Sequence, residues 1–346
     1  MIENPVRYIR RILWTLDPTL DDEQAIRKMV PFLRKFGESA DIYPVYVLGL
    51  GALNFPIGAA SESWPEQYRS VAETRLNDLL EGLELPGMQA PVVLVEAQTT
   101  RDQAVRHLLE YAEKLHISSI VVNAHAHSRM SRLLLGSFAQ TLMVESSIPV
   151  LSIELDRMPE TVTRAERMTI LFPTDFSAAS RRVFRAVVRE AHLLNAKLIL
   201  FHTVPQPIEP YLESGASLLG GVWIPVHSAF GDEIDRHRRH AEAWARWATH
   251  QGVEASVLVD NFGGDLVESI VSIARSNSAM IAMSGPVSGS MIESSITKQV
   301  LRTAQAPVWV FHPASLSLRG EQCYNDRDAL TKSLRTPPGG HSRRQA

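Results

Sequence analysis

The stretch ILFPTDFS, residues 170–177, is an apolar run that stops at Pro173 and gives way to an acid and a hydroxyl. It is too short for a helix and is bounded by turn residues, so it reads as a buried strand ending in a turn. The residues after it have helical spacing. Val183, Val187 and Ala191 recur every four residues, and Ser177 stands where an N-cap would accept a backbone N–H. A strand that ends in Asp and hands over to an amphipathic helix is one unit of an α/β fold.

The same unit occurs 158 positions earlier (17 to 175), where RILWTLD at 11–17 places Asp17 at the position of Asp175. The register persists to the far end. Gly136-Ser137 matches Ser294-Ser295, and PVLSI at 149–153 matches PVWVF at 307–311, each at the same spacing. Self-similarity at a fixed distance implies two copies of one fold. In the first copy, strands are expected near 11–16, 42–48, 92–97, 118–123 and 149–153, with helices near 21–36, 64–84, 101–115 and 136–146. In the second, strands are expected near 168–174, 197–204, 254–259, 278–283 and 307–311, with helices near 177–194, 231–251, 264–276 and 294–304. Strands alternating with helices give a parallel sheet covered on both faces, with right-handed crossovers. The fold class is therefore α/β, two tandem open parallel five-stranded sheets with helices on both faces. Ligands in such sheets sit beyond the carboxyl ends of the strands, where Asp17, Asn123, Asp175 and Ser284 fall.

Composition sets the outer limits. The chain has 346 residues, 45 % of them hydrophobic and 21 % charged, enough for sizeable cores and for two domains. The expected division is 1–160, 161–316 and a tail at 317–346. A polar linker runs over 154–164, and the tail, with PPGG at 337–340 and no periodicity, reads as disordered. A formal net charge of −3 with scattered Lys and Arg argues against a nucleic-acid partner. The single Cys323 has no disulfide partner within the chain, and the first residues lack the basic and apolar regions of a signal peptide, so the expected compartment is cytoplasmic. No run reaches the roughly 18 apolar residues of a membrane span.

HAHSRMSRLLLGS, residues 125–137, joins the fourth strand to the last helix of the first copy. An anion site needs backbone N–H groups converging at a helix N-terminus, where the dipole also favours negative charge. Gly136 and Ser137 at the start of a helix supply one half of this. The other half calls for close backbone approach, which Asn123 tolerates and the methyl of Ala126 hinders, while Arg129 and Arg132 offer positive charge. Two readings stand side by side: an anion site, or a Ser137 that caps its helix.

ILFPTDFS at 170–177 closely resembles the opening strand and turn of the universal stress protein family. HAHSRMSRLLLGS with IPVL at 148–151 resembles that family's closing loop, helix and strand. The chain is similar to two fused members over roughly residues 8–313. The resemblance implies an adenine nucleotide alpha hydrolase-like fold. In the nucleotide-binding members an Asp after the first strand contacts the nucleoside, a residue at the end of the second strand contacts adenine, and a loop G-x-x-G-x(9)-G-[ST] wraps the phosphates. Carried onto this sequence, the first copy offers Asp17, Val47, Asn123, Ala126, Gly136 and Ser137, with Asn123 and Ala126 in place of two glycines. The second offers Asp175, Thr203, Gly285, Ser294 and Ser295, on a loop two residues shorter and without the closing glycine. Family dimers pair their last strands, so the resemblance also implies an intramolecular pseudo-dimer through 150–153 and 308–311, with a homodimer as a further possibility.

Other constellations carry less. His125 and His127 lack a third ligand at metal-binding spacing, so no metal site is expected. The segment DRHRRH at 235–240 with Trp244 and Trp247 reads as a basic outer face above an apolar inner edge. No G-x-S-x-G elbow or catalytic triad can be assembled, so no catalytic residue is assigned. The Gly-rich apolar connections at 49–58 and 211–225 read as flaps, which pack on their own domain or cover a ligand or partner. Asp17 and Asp175 either contact a ligand or cap the following helix. The function expected first is a non-enzymatic stress-response protein that binds a small molecule or a protein partner at the strand ends. The alternatives are an ATP-binding protein with slow hydrolysis, ATP being the one cofactor in view, and a binder of apolar ligands or membrane surfaces through 211–225.

Overall fold

A computed structural model gives the structure, and it describes residues 10–18, 23–36, 40–49, 64–96, 101–123, 137–154, 159–204, 226–260, 265–285, 291–313 and 316. The apolar runs become ten strands. In the first half these are β1 (Arg11–Thr15), β2 (Asp41–Gly49), β3 (Val92–Glu96), β4 (Ser119–Asn123) and β5 (Val150–Ile153). In the second they are β6 (Thr169–Pro173), β7 (Lys197–Thr203), β8 (Ala255–Asp260), β9 (Met280–Ser284) and β10 (Val308–Phe311). The helices are α1 (Glu23–Arg34), α2 (Trp64–Leu80), α3 (Arg101–Lys114), α4 (Ser137–Glu145), α5 (Glu160–Arg164), α6 (Ala178–Leu193), α7 (Val226–His250), α8 (Leu266–Ser276) and α9 (Met291–Thr303). Three elements depart from expectation, one of them α7, which begins at Val226 where the start was expected near 231. The linker carries the short helix α5, tied to α1 by the Lys35 ammonium donating to the Val162 carbonyl at 2.7 Å. Helix α9 begins at Met291, ahead of the expected start at 294.

The strands lie in the order β3-β2-β1-β4-β5-β10-β9-β6-β7-β8, one ten-stranded sheet. Every adjacent pair is parallel except β5 with β10, which pair antiparallel with Leu151 opposite Trp309. The final strands of the two halves thus cover each other's edges, as the sequence predicts. Alternation along the strands sends side chains to two cores. Ile12, Trp14, Leu151, Phe172 and Trp309 face one side, under α1, α2, α6 and α7. Leu13, Val150, Leu171, Val308 and Val310 face the other, under α3, α4, α8 and α9. Each core runs through both halves.

Among the described residues, contacts on the sheet's faces reinforce the seam. On the first face the rings of Phe36 and Trp309 meet edge to face at 5.9 Å. There too the buried Arg10 guanidinium pairs with Glu190 of α6 and lies 5.8 Å from the Phe36 ring centroid. A third contact is the buried His312, whose Nε2–H donates to the Met143 carbonyl of α4 at 2.6 Å. Breaking one member of a buried charge pair is costly, because the partner is left uncompensated.

Candidate functional site

In each half the strand order reverses beside the first strand, between β1 and β4 and between β6 and β9. Such a reversal opens a crevice beyond the strand ends, since the crossovers on either side leave over opposite faces. The register brings the expected residues to these crevices. Thr15 pairs with Val45, so Asp17 leaves the sheet beside Val47 of β2. Pro173 pairs with Phe201, so Asp175 leaves beside Thr203. Asn123 ends β4 half-buried, Ser284 ends β9, and Gly285 follows it.

The turn after β6 is built around one unusual residue. Phe176 adopts φ 59°, a left-handed conformation that a bulky side chain avoids at a cost of order 1–2 kcal/mol. Hydrogen bonds hold it there. The Phe176 N–H donates to Thr174 Oγ1 at 3.0 Å, and the Ser177 N–H donates to Asp175 Oδ1 at 2.9 Å. Ser177 is the N-cap of α6, accepting from the Ser180 N–H at 3.1 Å, as its sequence position predicts. The Ser180 hydroxyl donates to the same Asp175 oxygen. Partial burial opposes ionisation of Asp175, but the hydrogen bonds from Ser180 and Ser177 outweigh it and hold the carboxyl below the ordinary range. Asp175 therefore braces a helix start, the second of the two roles open to it.

The left-handed turn aims the Phe176 ring across the end of β7 onto α7. Its centroid lies 4.6 Å from that of His202, 4.5 Å from His240 in a stacked arrangement, and 5.2 Å from the ring of the buried Trp244, edge to face. His202 and His237 also stack, at 4.7 Å. His202 is 9 % exposed; its Nδ1–H donates to the Thr174 carbonyl at 2.7 Å, and among the described residues its buried Nε2 has no hydrogen-bond partner. Burial, together with the nearby imidazoles of His237 and His240, lowers its pKa against the opposing pull of the Thr174 hydrogen bond and Asp175. The ring stands neutral, with a lone pair on Nε2. The expected basic face of 235–240 is thus only part of the picture. Arg236, Arg238 and Arg239 are exposed, while His237 and His240, one turn apart, turn onto Phe176. Their spacing, one turn ahead of Trp244, was the available signal.

The first half makes a different turn. Pro18 stands where Phe176 stands, and a proline can neither adopt positive φ nor donate a backbone N–H. Helix α1 begins only at Glu23, so Asp17 is not its N-cap. Asp17 instead faces Tyr46, the positional counterpart of His202. Burial first and the Asp17 charge second push the Tyr46 phenol up to about 12.

The remaining expected residues divide. Gly285 is needed for packing: a Cβ there would stand 2.7 Å from the His312 ring, and its N–H already donates to the Phe311 carbonyl at 2.6 Å. Ser137 opens α4, at a helix N-terminus as expected, whereas Ser294 and Ser295 fall about a turn inside α9. Ala126, Gly136, His125, His127 and the segments 50–58 and 211–225 lie outside the described residues.

The universal stress protein family matches twice, over residues 9–153 and 166–312. The chain belongs to this family. Solved structures of the same fold include a universal stress protein from Archaeoglobus fulgidus DSM 4304, at 18 % identity and a TM-score of 0.59, covering 87 % of this chain and 96 % of that one. Another is a functionally unknown protein from Pseudomonas aeruginosa PAO1, at 13 % identity and a TM-score of 0.55, covering 92 % of this chain and 98 % of the other. No curated protein matches the chain. Among the described residues of this universal stress protein, no His, Cys, Asp and Glu cluster could hold a metal ion, and no helix is long and apolar enough to cross a membrane.

Proposed function

We propose that this tandem universal stress protein is a non-enzymatic, cytoplasmic binding protein, taking a small ligand or a protein partner at its strand ends. The observation that carries this reading is the wiring of Asp175. Its Oδ1 accepts from two donors of the α6 cap, and the carboxyl is held below its ordinary range. Such a group is a fixed acceptor and a poor general base, because a base must gain a proton near the working pH. His202 is committed likewise through Nδ1, leaving Nε2 as an acceptor toward the ring stack.

A second reading, ATP binding with slow hydrolysis, draws support from one feature of the first half. Helix α4 starts at Ser137 beyond the end of β4, which presents a helix N-terminus to an anion. One experiment separates the readings: mass spectrometry of small molecules released from freshly purified, denatured protein, followed by calorimetry with ATP. The binding-protein reading expects a ligand other than ATP, or none, and no phosphate release. Tight ATP binding with measurable turnover would replace it with the second.

A further inference from the structure

The seam between the halves carries a cleft separate from the two strand-end crevices. Helices α4 and α9 approach each other over β5 and β10 and leave about 320 Å³ between them, at the lower end of the roughly 300–1,000 Å³ of small-molecule sites. Its floor is apolar, formed by Met143, Leu301 and Val310, and Val144 on the α4 side is 52 % exposed. An isolated exposed valine is ordinary; one lining a concave apolar surface is unfilled contact area.

The walls are charged with opposite signs. Helix α9 brings Lys298 and Arg302, one turn apart, while Glu145 of α4 and Asp102 of α3 face the same space. All four residues are exposed, and among the described residues none of the four is ion-paired. The i,i+4 pairs elsewhere on the surface, Arg27 with Glu23 and Arg69 with Glu73, close to 2.7 and 2.8 Å. Across the cleft no such pair closes among the described residues.

The geometry points to a site for a small zwitterion with an apolar body, of the class of a hydrophobic dipeptide. Its carboxylate meets Lys298 and Arg302, its ammonium meets Glu145 and Asp102, and its side chains lie on Met143, Leu301 and Val310. An ion carrying one charge would leave one wall unanswered, and a purely apolar ligand would bury both walls against nothing. The site draws on both halves, so occupancy stabilises the seam by mass action. It is also wired to the strand ends of the second half. The Met143 carbonyl holds His312, whose ring packs on Gly285, and Thr297 on the cleft wall donates its hydroxyl to the Ser284 carbonyl at 3.0 Å.

The test is calorimetry of the full chain with leucylleucine, its N-acetyl derivative and its C-terminal amide. Saturable one-to-one binding of the free dipeptide is expected, at least tenfold weaker for each blocked form. The exposed pair Lys298→Gln with Arg302→Gln should weaken the free dipeptide at least tenfold and leave the amide unchanged, with circular dichroism confirming the fold. Binding should survive Asp175→Ala. No heat at millimolar dipeptide, or equal binding by wild type and the double variant, overturns the proposal. So does a concentration-dependent dimer abolished by Val144→Glu, which would give the cleft to a second copy of the chain.

Discussion

The two strand-end turns start from the same plan and finish differently. After β6, a left-handed Phe176 lets the backbone fold over Asp175 and Thr174 and throws an aromatic ring onto His202, His237 and His240. After β1, Pro18 closes that route, and Asp17 is left beside a half-buried phenol. At the paired positions Tyr46 and His202, burial acts on opposite chemistries with one outcome, since both rings are kept neutral. A repeat preserves where the chain goes; one residue in the turn decides what the end of a strand presents.

The sharpest test of this contrast is the loss of the ring. Phe176→Ala is expected to destabilise the protein by about 2–3 kcal/mol, below the roughly 3–5 kcal/mol of a fully buried aromatic, because the ring is only half-buried. Pro18→Ala should cost less than about 1 kcal/mol, acting through the unfolded chain. Urea unfolding of both variants measures the difference, and equal losses would mean that the two turns do the same work. Next in size is the acid. Asp175→Ala should cost about 1–2 kcal/mol as a helix-start brace, and Asp17→Ala, which caps no helix, markedly less.

Titration separates the halves by pH. His202 has a folded pKa below its ordinary 6.5, as does His312, which burial lowers against its Met143 hydrogen bond. On acidification the unfolded chain takes up these protons first, so stability present above pH 6.5 is lost as pH falls below it. Tyr46 works in the opposite direction. Its folded pKa of about 12 lies above the ordinary 10, so the stability present below pH 10 is lost as pH rises toward 12. Melting temperatures across pH should therefore fall at both ends, with His202→Phe flattening the acid limb and Tyr46→Phe the alkaline one. The smallest expected effect is local: Asp17→Asn should lower the Tyr46 pKa in a near-ultraviolet titration without altering the acid limb.

Much of the fold was legible because most strands are built on short apolar runs, in strands of four to nine residues bounded by polar or turn residues. The 158-residue register located the second copy from the first, and the resemblance to a family whose dimers pair their last strands foretold the β5–β10 pairing. The sites were less legible. Asp175 and Asp17 were equivalent as letters, and only the turn showed that one braces a helix while the other does not. The ring stack joins a loop, a strand and a helix that are far apart in sequence, and no local pattern encodes such a meeting. Gly285 looked like a backbone freed for an anion, yet its missing Cβ makes room for His312. The early start of α9 was legible but missed: Ser290 with Glu293 three residues on is the Ser-x-x-Glu pattern that opens a helix, and the match of Ser294-Ser295 to Gly136-Ser137 drew the expected start to 294 instead.

Because β5 and β10 meet antiparallel, strands β1 to β5 all run one way and β6 to β10 all run the other, so the two crevices open on opposite rims of a single plate. The two ends of the molecule present different side chains, Phe176 over histidines at one and Asp17 beside Tyr46 at the other, and the line between them is the one strand pair that both halves share.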